Sequence, residues 1–166
     1  MEKINWIKDL VVAEQQMEDT GMVDMTAGFD PASELEMATI EFLQDMKAAF
    51  IESSATFNQL KGSAVGTIKI YGISKTQADF MLFRNGHKLI FSLHQPGAIT
   101  ISFNSAAAHF VPGQNAADQP LPGAADIIKA QWGAYGELKW TSSDLEVNLD
   151  YLVRYYMVRF VKESAK

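Results

Sequence analysis

The sequence predicts an α+β fold: one five-stranded antiparallel sheet, made of a four-strand meander plus a late strand, with helices packed mainly on one face. Three observations predict it. Apolar residues recur at helical spacing up to about residue 62, they switch to a period of two from Val65 onward, and helical spacing returns at the C-terminal end. Long N-terminal and C-terminal helices therefore bracket the sheet. With 166 residues and no Pro/Gly/Ser-rich linker or internal repeat, the chain reads as a single domain.

Residues 1–30 form an N-terminal helical extension, in which Ile4, Ile7 and Val11 follow helical spacing and Thr20-Gly21 ends the run. A long helix over 31–62 starts at Asp30-Pro31. Asp30 accepts from the free amides of the first turn, and Pro31 stands where its missing N–H costs nothing. Glu34 and Glu36 suit the positive end of the helix dipole. Leu35, Phe42, Met46, Phe50, Phe57 and Leu60 form its apolar stripe, Gly62 stops it, and Ser53-Ser54 marks a point where it is expected to break.

Residues 65–104 make the meander. Ile68 and Ile70 alternate with Thr67, Lys69 and Tyr71; Phe80 and Leu82 share a parity; Leu89, Phe91 and Leu93 alternate, as do Ile99, Ile101 and Phe103. Asn85-Gly86 suits a two-residue hairpin turn with positive φ at both positions, and Pro96-Gly97 makes the next turn. Residues 105–124, rich in Ala, Pro and Gly, read as a long loop. Within 125–166, Ala125 to Gln131 reads as a short helix carrying Ile127 and Ile128. Glu137-Leu138-Lys139-Trp140 reads as the fifth strand. Ser143 with Glu146 three residues on has the capping-box pattern for the terminal helix. That helix carries Leu145, Leu149, Leu152, Tyr156 and Phe160 on one stripe. Val147, Tyr151, Tyr155 and Val158 widen its apolar surface past one face, which predicts burial on more than one side.

Composition excludes several functions. The formal net charge is −6, arguing against a non-specific nucleic-acid binder or a polybasic membrane-surface protein. There is no cysteine, so disulfides, thiol catalysis and cysteine-ligated metal are excluded. No apolar run approaches the 18 or so residues of a membrane span, and no secretory leader is legible, so the cytoplasm is the default reading. Charge is uneven: residues 1–60 carry 12 acidic and 3 basic side chains (net −9), and the next fifty carry 1 and 5 (net +4). The acidic third reads as a solvated helical face or an acidic docking surface.

Catalytic chemistry is not visible. His87, His94 and His109 have no partner at metal-binding spacing, and neither a metal nor a cofactor is expected. Ser63 and Ser74 lack a nucleophile elbow. Gly62, Gly66 and Gly72 are not followed by the Lys-Ser/Thr of a phosphate loop. The chain is therefore expected not to be an enzyme. Its aromatics and eight methionines suit an adaptable apolar core or cavity.

The element order, together with Gly66-Thr67-Ile68-Lys69-Ile70, Ala78–Gly86 ending on the Asn-Gly turn, Ala98–Phe103 and Gly136–Trp140, resembles the sterol-carrier-protein lipid-transfer fold over about residues 40–160. Other helix-plus-antiparallel-sheet folds, including secretion-chaperone-like ones, share this element pattern. The resemblance implies an apolar tunnel between the sheet and the terminal helix, flanked by Trp132 and Trp140. Its lining would be drawn from Ile101, Phe103, Leu138, Trp140, Leu149, Leu152, Tyr156 and Phe160. Arg154 or Arg159 would meet the headgroup of a fatty acid, lipid or isoprenoid. The leading expectation is non-catalytic binding of such a ligand. The alternative is a protein-interaction or chaperone-like homodimeric module using the acidic helical third or the broad face of the last helix.

Overall fold

The computed structural model describes residues 2–104 and 126–165. Two helices lead, α1 (Glu2–Thr20) and α2 (Pro31–Lys61). Seven strands follow: β1 (Lys69–Gly72), β2 (Phe80–Arg84), β3 (His87–Gln95), β4 (Ala98–Asn104), β5 (Asp126–Trp132), β6 (Leu138–Ser142) and β7 (Leu145–Glu146). Helix α3 (Leu149–Glu163) ends the chain. The strands lie side by side in sequence order, each antiparallel to the next. The α+β class holds, but the five-strand sheet is corrected to seven. No helix among the described residues is long and apolar enough to cross a membrane.

The two added strands come from segments that imitate helix signals. Residues 126–131, expected to be helical, are β5, which fills the space between β4 and β6 and pairs four residues with each. Seven residues with Ile127-Ile128 near the start suit either state locally, and tertiary pairing decides. Ser143 is not a helix cap. It and Asp144 have φ of 50° and 67°, the paired positive values of a tight hairpin turn joining β6 to β7. The cap of α3 is Asn148, whose Oδ1 accepts from the amides of Asp150 (3.0 Å) and Tyr151 (3.4 Å). The loop expected at 105–124 lies outside the described residues.

Helix α2 begins as expected, with the Asp30 side chain accepting from Ala32 N at 3.2 Å. It runs unbroken through Ser53-Ser54, where the expected break is absent: Ser54 is buried and its hydroxyl points at Met157 Sδ. Its buried face is Thr39, Leu43, Met46, Phe50 and Ser54, at spacings of four and three. Leu60, expected on that stripe, is exposed.

One face of the sheet supplies the other half of the core. Across the strands, Ile70, Leu82, Leu89 and Phe103 form one row, and Phe80, Phe91 and Ile101 the next. Phe80 and Phe91 stack at 4.7 Å, Phe50 of α2 lies 4.8 Å from Phe91, and Tyr156 of α3 meets Phe91 edge-on at 6.0 Å. Both α2 and α3 thus pack on the same sheet face. The opposite face presents half-buried Met81, Phe83 and Ile90.

Three polar locks set where the helices sit. The β3–β4 turn at Gly97 (φ 86°) donates its amide to Thr39 Oγ1 at 2.8 Å, and a Cβ there would stand 3.2 Å from Leu35. Asn58 grips Ile68 through both its amide and its carbonyl, at 2.9 Å each. Arg84, buried at the end of β2, donates Nε to Gly66 O at 2.8 Å and Nη1 to Val161 O at 2.9 Å and Ser164 Oγ at 3.3 Å. Asn85, at the Asn-Gly turn with φ 51°, donates Nδ2 to Ser164 O at 2.7 Å. A cation at the negative end of α3 fits the helix dipole. The β2–β3 hairpin is therefore a clamp on the last turn of α3.

Candidate functional site

Five of the ten residues expected around a tunnel do come together. Ile101, Phe103, Tyr156, Phe160 and Arg159 line one cleft between the sheet and α3, with Leu89, Asp126 and Glu163. Its volume is about 40 Å³. Small-molecule pockets run to roughly 300–1,000 Å³. The cleft has room for little more than water and none for an acyl chain.

The mouth of the cleft is a closed polar set. The Tyr156 hydroxyl donates to Asp126 Oδ2 at 2.7 Å, and Arg159 Nη1 stands 3.9 Å from the same oxygen. Arg159 Nε donates to Glu163 Oε1 at 3.1 Å, which raises the guanidinium further above its already high value. Burial first, then the bond to Asp126, push the Tyr156 hydroxyl well above its ordinary value, so it stays a neutral donor. Both carboxylates already engage Arg159, and a lipid headgroup would have to displace them.

The remaining expected lining residues lie elsewhere. Trp140 stacks on Phe42 of α2, with centroids 4.7 Å apart and planes 13° from parallel. Leu152 is buried in the core, and Leu149 packs against it. Leu138 pairs with Trp132 at the far end of the β5–β6 hairpin. Arg154 points away from the sheet, into a shallow groove between α2 and α3 shared with Glu52 and Asp150. Of the flanking tryptophans, Trp132 meets Phe29 edge-on at 5.8 Å and remains partly exposed.

The histidines sit apart. His87 stacks on Phe103 at 5.7 Å, His94 is exposed near the end of β3, and His109 lies outside the described residues. Among the described residues no group of three or more His, Asp or Glu is placed to hold a metal ion.

The outer face of α3 is the more distinctive surface. Leu152, Val153, Tyr156 and Phe160 are buried on one side. On the other, Tyr151, Tyr155 and Val158 are 69%, 57% and 45% exposed, at spacings of four and three. The widened apolar surface of this helix is thus real, but the second side faces outward instead of being buried. Arg154, Arg159 and Lys162 border these three residues in one continuous patch. Both acidic residues of the helix, Asp150 and Glu163, fall outside it. Sequence reasoning noted the two tyrosines and Val158 but not Lys162, which continues their stripe four residues on.

A second exposed apolar helix lies at the other end of the chain. In α1 every residue from Ile4 to Thr20 is exposed except Ala13 and Met17, which are half-buried. One side of α1 faces the start of α2 and the segment 24–30, through Trp6, Asp9 and Ala13. Ile4, Ile7 and Val11 fall on the other side, and Glu14 and Glu18 extend the same stripe.

Compared with known proteins, the chain matches no family model, no curated protein and no solved structure, so the resemblance to the sterol-carrier fold rests on its sequence elements alone.

Proposed function

We propose that this chain is a non-catalytic protein-interaction module whose docking surface is the outer face of α3. One observation carries the reading: Tyr151, Tyr155 and Val158 form an exposed apolar stripe bordered by the cations Arg154 and Lys162 and by Arg159, which Glu163 already holds. Tyr and Arg are the residue types that dominate binding energy at interfaces, because each combines apolar area with directed hydrogen bonding. A stripe with spacings of four and three receives a helix better than a flat surface does. The surrounding charge selects a partner helix whose apolar face is flanked by carboxylates. Ligand carriage, the other expectation, would need the 40 Å³ cleft to open several-fold.

The test uses an unrelated synthetic peptide, an amphipathic helix with Leu on one stripe and Glu beside it. Titrated into isotope-labelled protein, it should shift amide signals of α3 around Tyr151, Tyr155 and Val158, and the shifts should saturate. A peptide with Lys in place of Glu should do so far more weakly. No saturable shift on α3 at millimolar acidic peptide overturns the reading.

A further inference from the structure

We infer that the partner helix of the α3 face is α1 of a second copy of this chain, docked parallel to α3 and reciprocated, so that two chains close on each other. The inference rests on the interaction reading above and names its occupant. Two independent features of the chain carry it.

The first is spacing. On α3 the outward stripe is Tyr151, Tyr155, Val158, Lys162, with steps of four, three and four. On α1 the outward stripe contains Ile7, Val11, Glu14, Glu18, with the same steps. Laid parallel, Ile7 meets Tyr151 and Val11 meets Tyr155 at the N-terminal half. Side chains at matching steps interdigitate along two helices, as ridges into grooves require.

The second is charge. In the same register Glu18 faces Lys162, and Glu14 falls at Val158, between Arg154 and Lys162 one turn to either side. Helix α1 carries five acidic and two basic residues. The antiparallel alignment instead sets Glu18 and Glu14 against Tyr151 and Tyr155, and Ile7 against Lys162. Charge therefore selects the parallel register.

The two stripes do not meet within one chain: α1 lies against the start of α2, and both stripes are exposed. Exposed apolar area of this extent on two helices is what an assembly covers. When each copy offers one α1 and one α3, the reciprocal arrangement is closed and two-fold, with the same contact made twice.

The experiment is a charge exchange on the full-length chain, read by sedimentation or light scattering at tens of micromolar. One variant carries Glu14→Lys and Glu18→Lys, making its α1 stripe basic; the other carries Arg154→Glu and Lys162→Glu, making its α3 face acidic. Each variant alone sets like charges against each other and should weaken self-association at least about tenfold against the wild-type dimer. Mixed in equal amounts, the basic α1 meets the acidic α3 and the unchanged acidic α1 meets the unchanged basic α3, so dimer should return. Circular dichroism and thermal unfolding on each variant check that the fold is intact.

A wild-type chain that stays monomeric to high micromolar concentration overturns the inference. So does a mixture that fails to associate, or a ladder of larger species in place of a closed dimer. The acidic-peptide titration keeps the two claims apart. Peptide shifts on α3 with no self-association leave the docking surface standing and remove only the second copy as its occupant.

Discussion

Replacing Arg84 by Met removes the clamp that holds the last turn of α3 and, with it, the C-terminal end of the proposed docking face. Met keeps much of the apolar stem but loses the guanidinium, whose carbon lies 5.3 Å from the centroid of the Phe57 ring. Two short hydrogen bonds from a charged donor are lost, to Gly66 O at 2.8 Å and Val161 O at 2.9 Å, along with a longer one to Ser164 Oγ. Bonds of this kind contribute about 1.5–3 kcal/mol each. Against that loss, the variant no longer desolvates a guanidinium that is only 7% exposed. The net destabilisation is about 2–3 kcal/mol, equivalent to a fall in Tm of about 4–12 °C for a chain of this size. Because Val161 O and Gly66 O are left without that donor, the loss should be local first. Amide hydrogen exchange over residues 160–164 should rise before exchange in β3 and β4 does. Urea unfolding with a loss under about 0.5 kcal/mol, or unchanged exchange at the end of α3, would refute the clamp.

Other outcomes follow from the same structure. Ser143→Asn with Asp144→Gly places Asn-Gly in a turn where two non-glycine residues hold positive φ. It should stabilise the chain by about 1 kcal/mol in chemical denaturation, whereas destabilisation would favour the helix-cap reading of Ser143. Leu152→Trp overpacks a buried core position and should cost about 1–3 kcal/mol; a neutral result accompanied by displacement of a bound lipid would instead favour the carrier reading. Tyr156 has a raised pKa in the folded chain, so the native state retains that proton where the unfolded state has lost it. Its contribution to stability is complete below about pH 10 and is lost progressively as pH rises above that. In Tyr156→Phe the fall of stability above pH 10 should be shallower, and identical alkaline slopes for the two proteins would contradict the assignment.

The meander was legible because local and global signals agree there. Asn85-Gly86 requires the turn it makes, and the alternation on either side puts Leu82 and Leu89 on the same face as cross-strand partners. Asp30-Pro31 was legible for the same reason, since cap chemistry is local. Residues 126–132 were not, because their strand state depends on the open edges of β4 and β6, which no window around Ile128 contains. Ser143 misled through a true coincidence of spacing: Ser and Glu three apart serve a helix cap or a two-residue hairpin equally, and the backbone at 143 and 144 decides. In the candidate site, the resemblance to the sterol-carrier fold pointed to the wall formed by Ile101, Phe103, Tyr156 and Phe160. It could not find the volume between them, which depends on how far α3 stands from the sheet.

Helix α3 also shows why breadth of apolar surface is an ambiguous signal. A helix in a two-layer domain has one side against the sheet, so apolar residues on its other side are either under a further layer or in water. The two cases have the same hydrophobic pattern and differ in what borders it. Under a further layer, the residues beside Tyr155 and Val158 would themselves be small or apolar, because an unpaired buried cation is costly. Here they are charged: Arg159, held by Glu163, and Arg154 and Lys162, which mark a surface built to remain wet until a partner of opposite charge arrives. The acidic stripe of α1 is bordered in the complementary way: Ile4, Ile7 and Val11 run on into Glu14 and Glu18. If docking joins these two faces, neutralising carboxylates should weaken it as surely as removing cations does. Self-association at neutral pH should therefore weaken in the double variant Glu14→Gln, Glu18→Gln, even while its fold persists by circular dichroism. A double variant that dimerises with unchanged affinity would mean that the apolar halves alone hold the dimer, and that the charges at Glu14, Glu18 and Lys162 do not select the register.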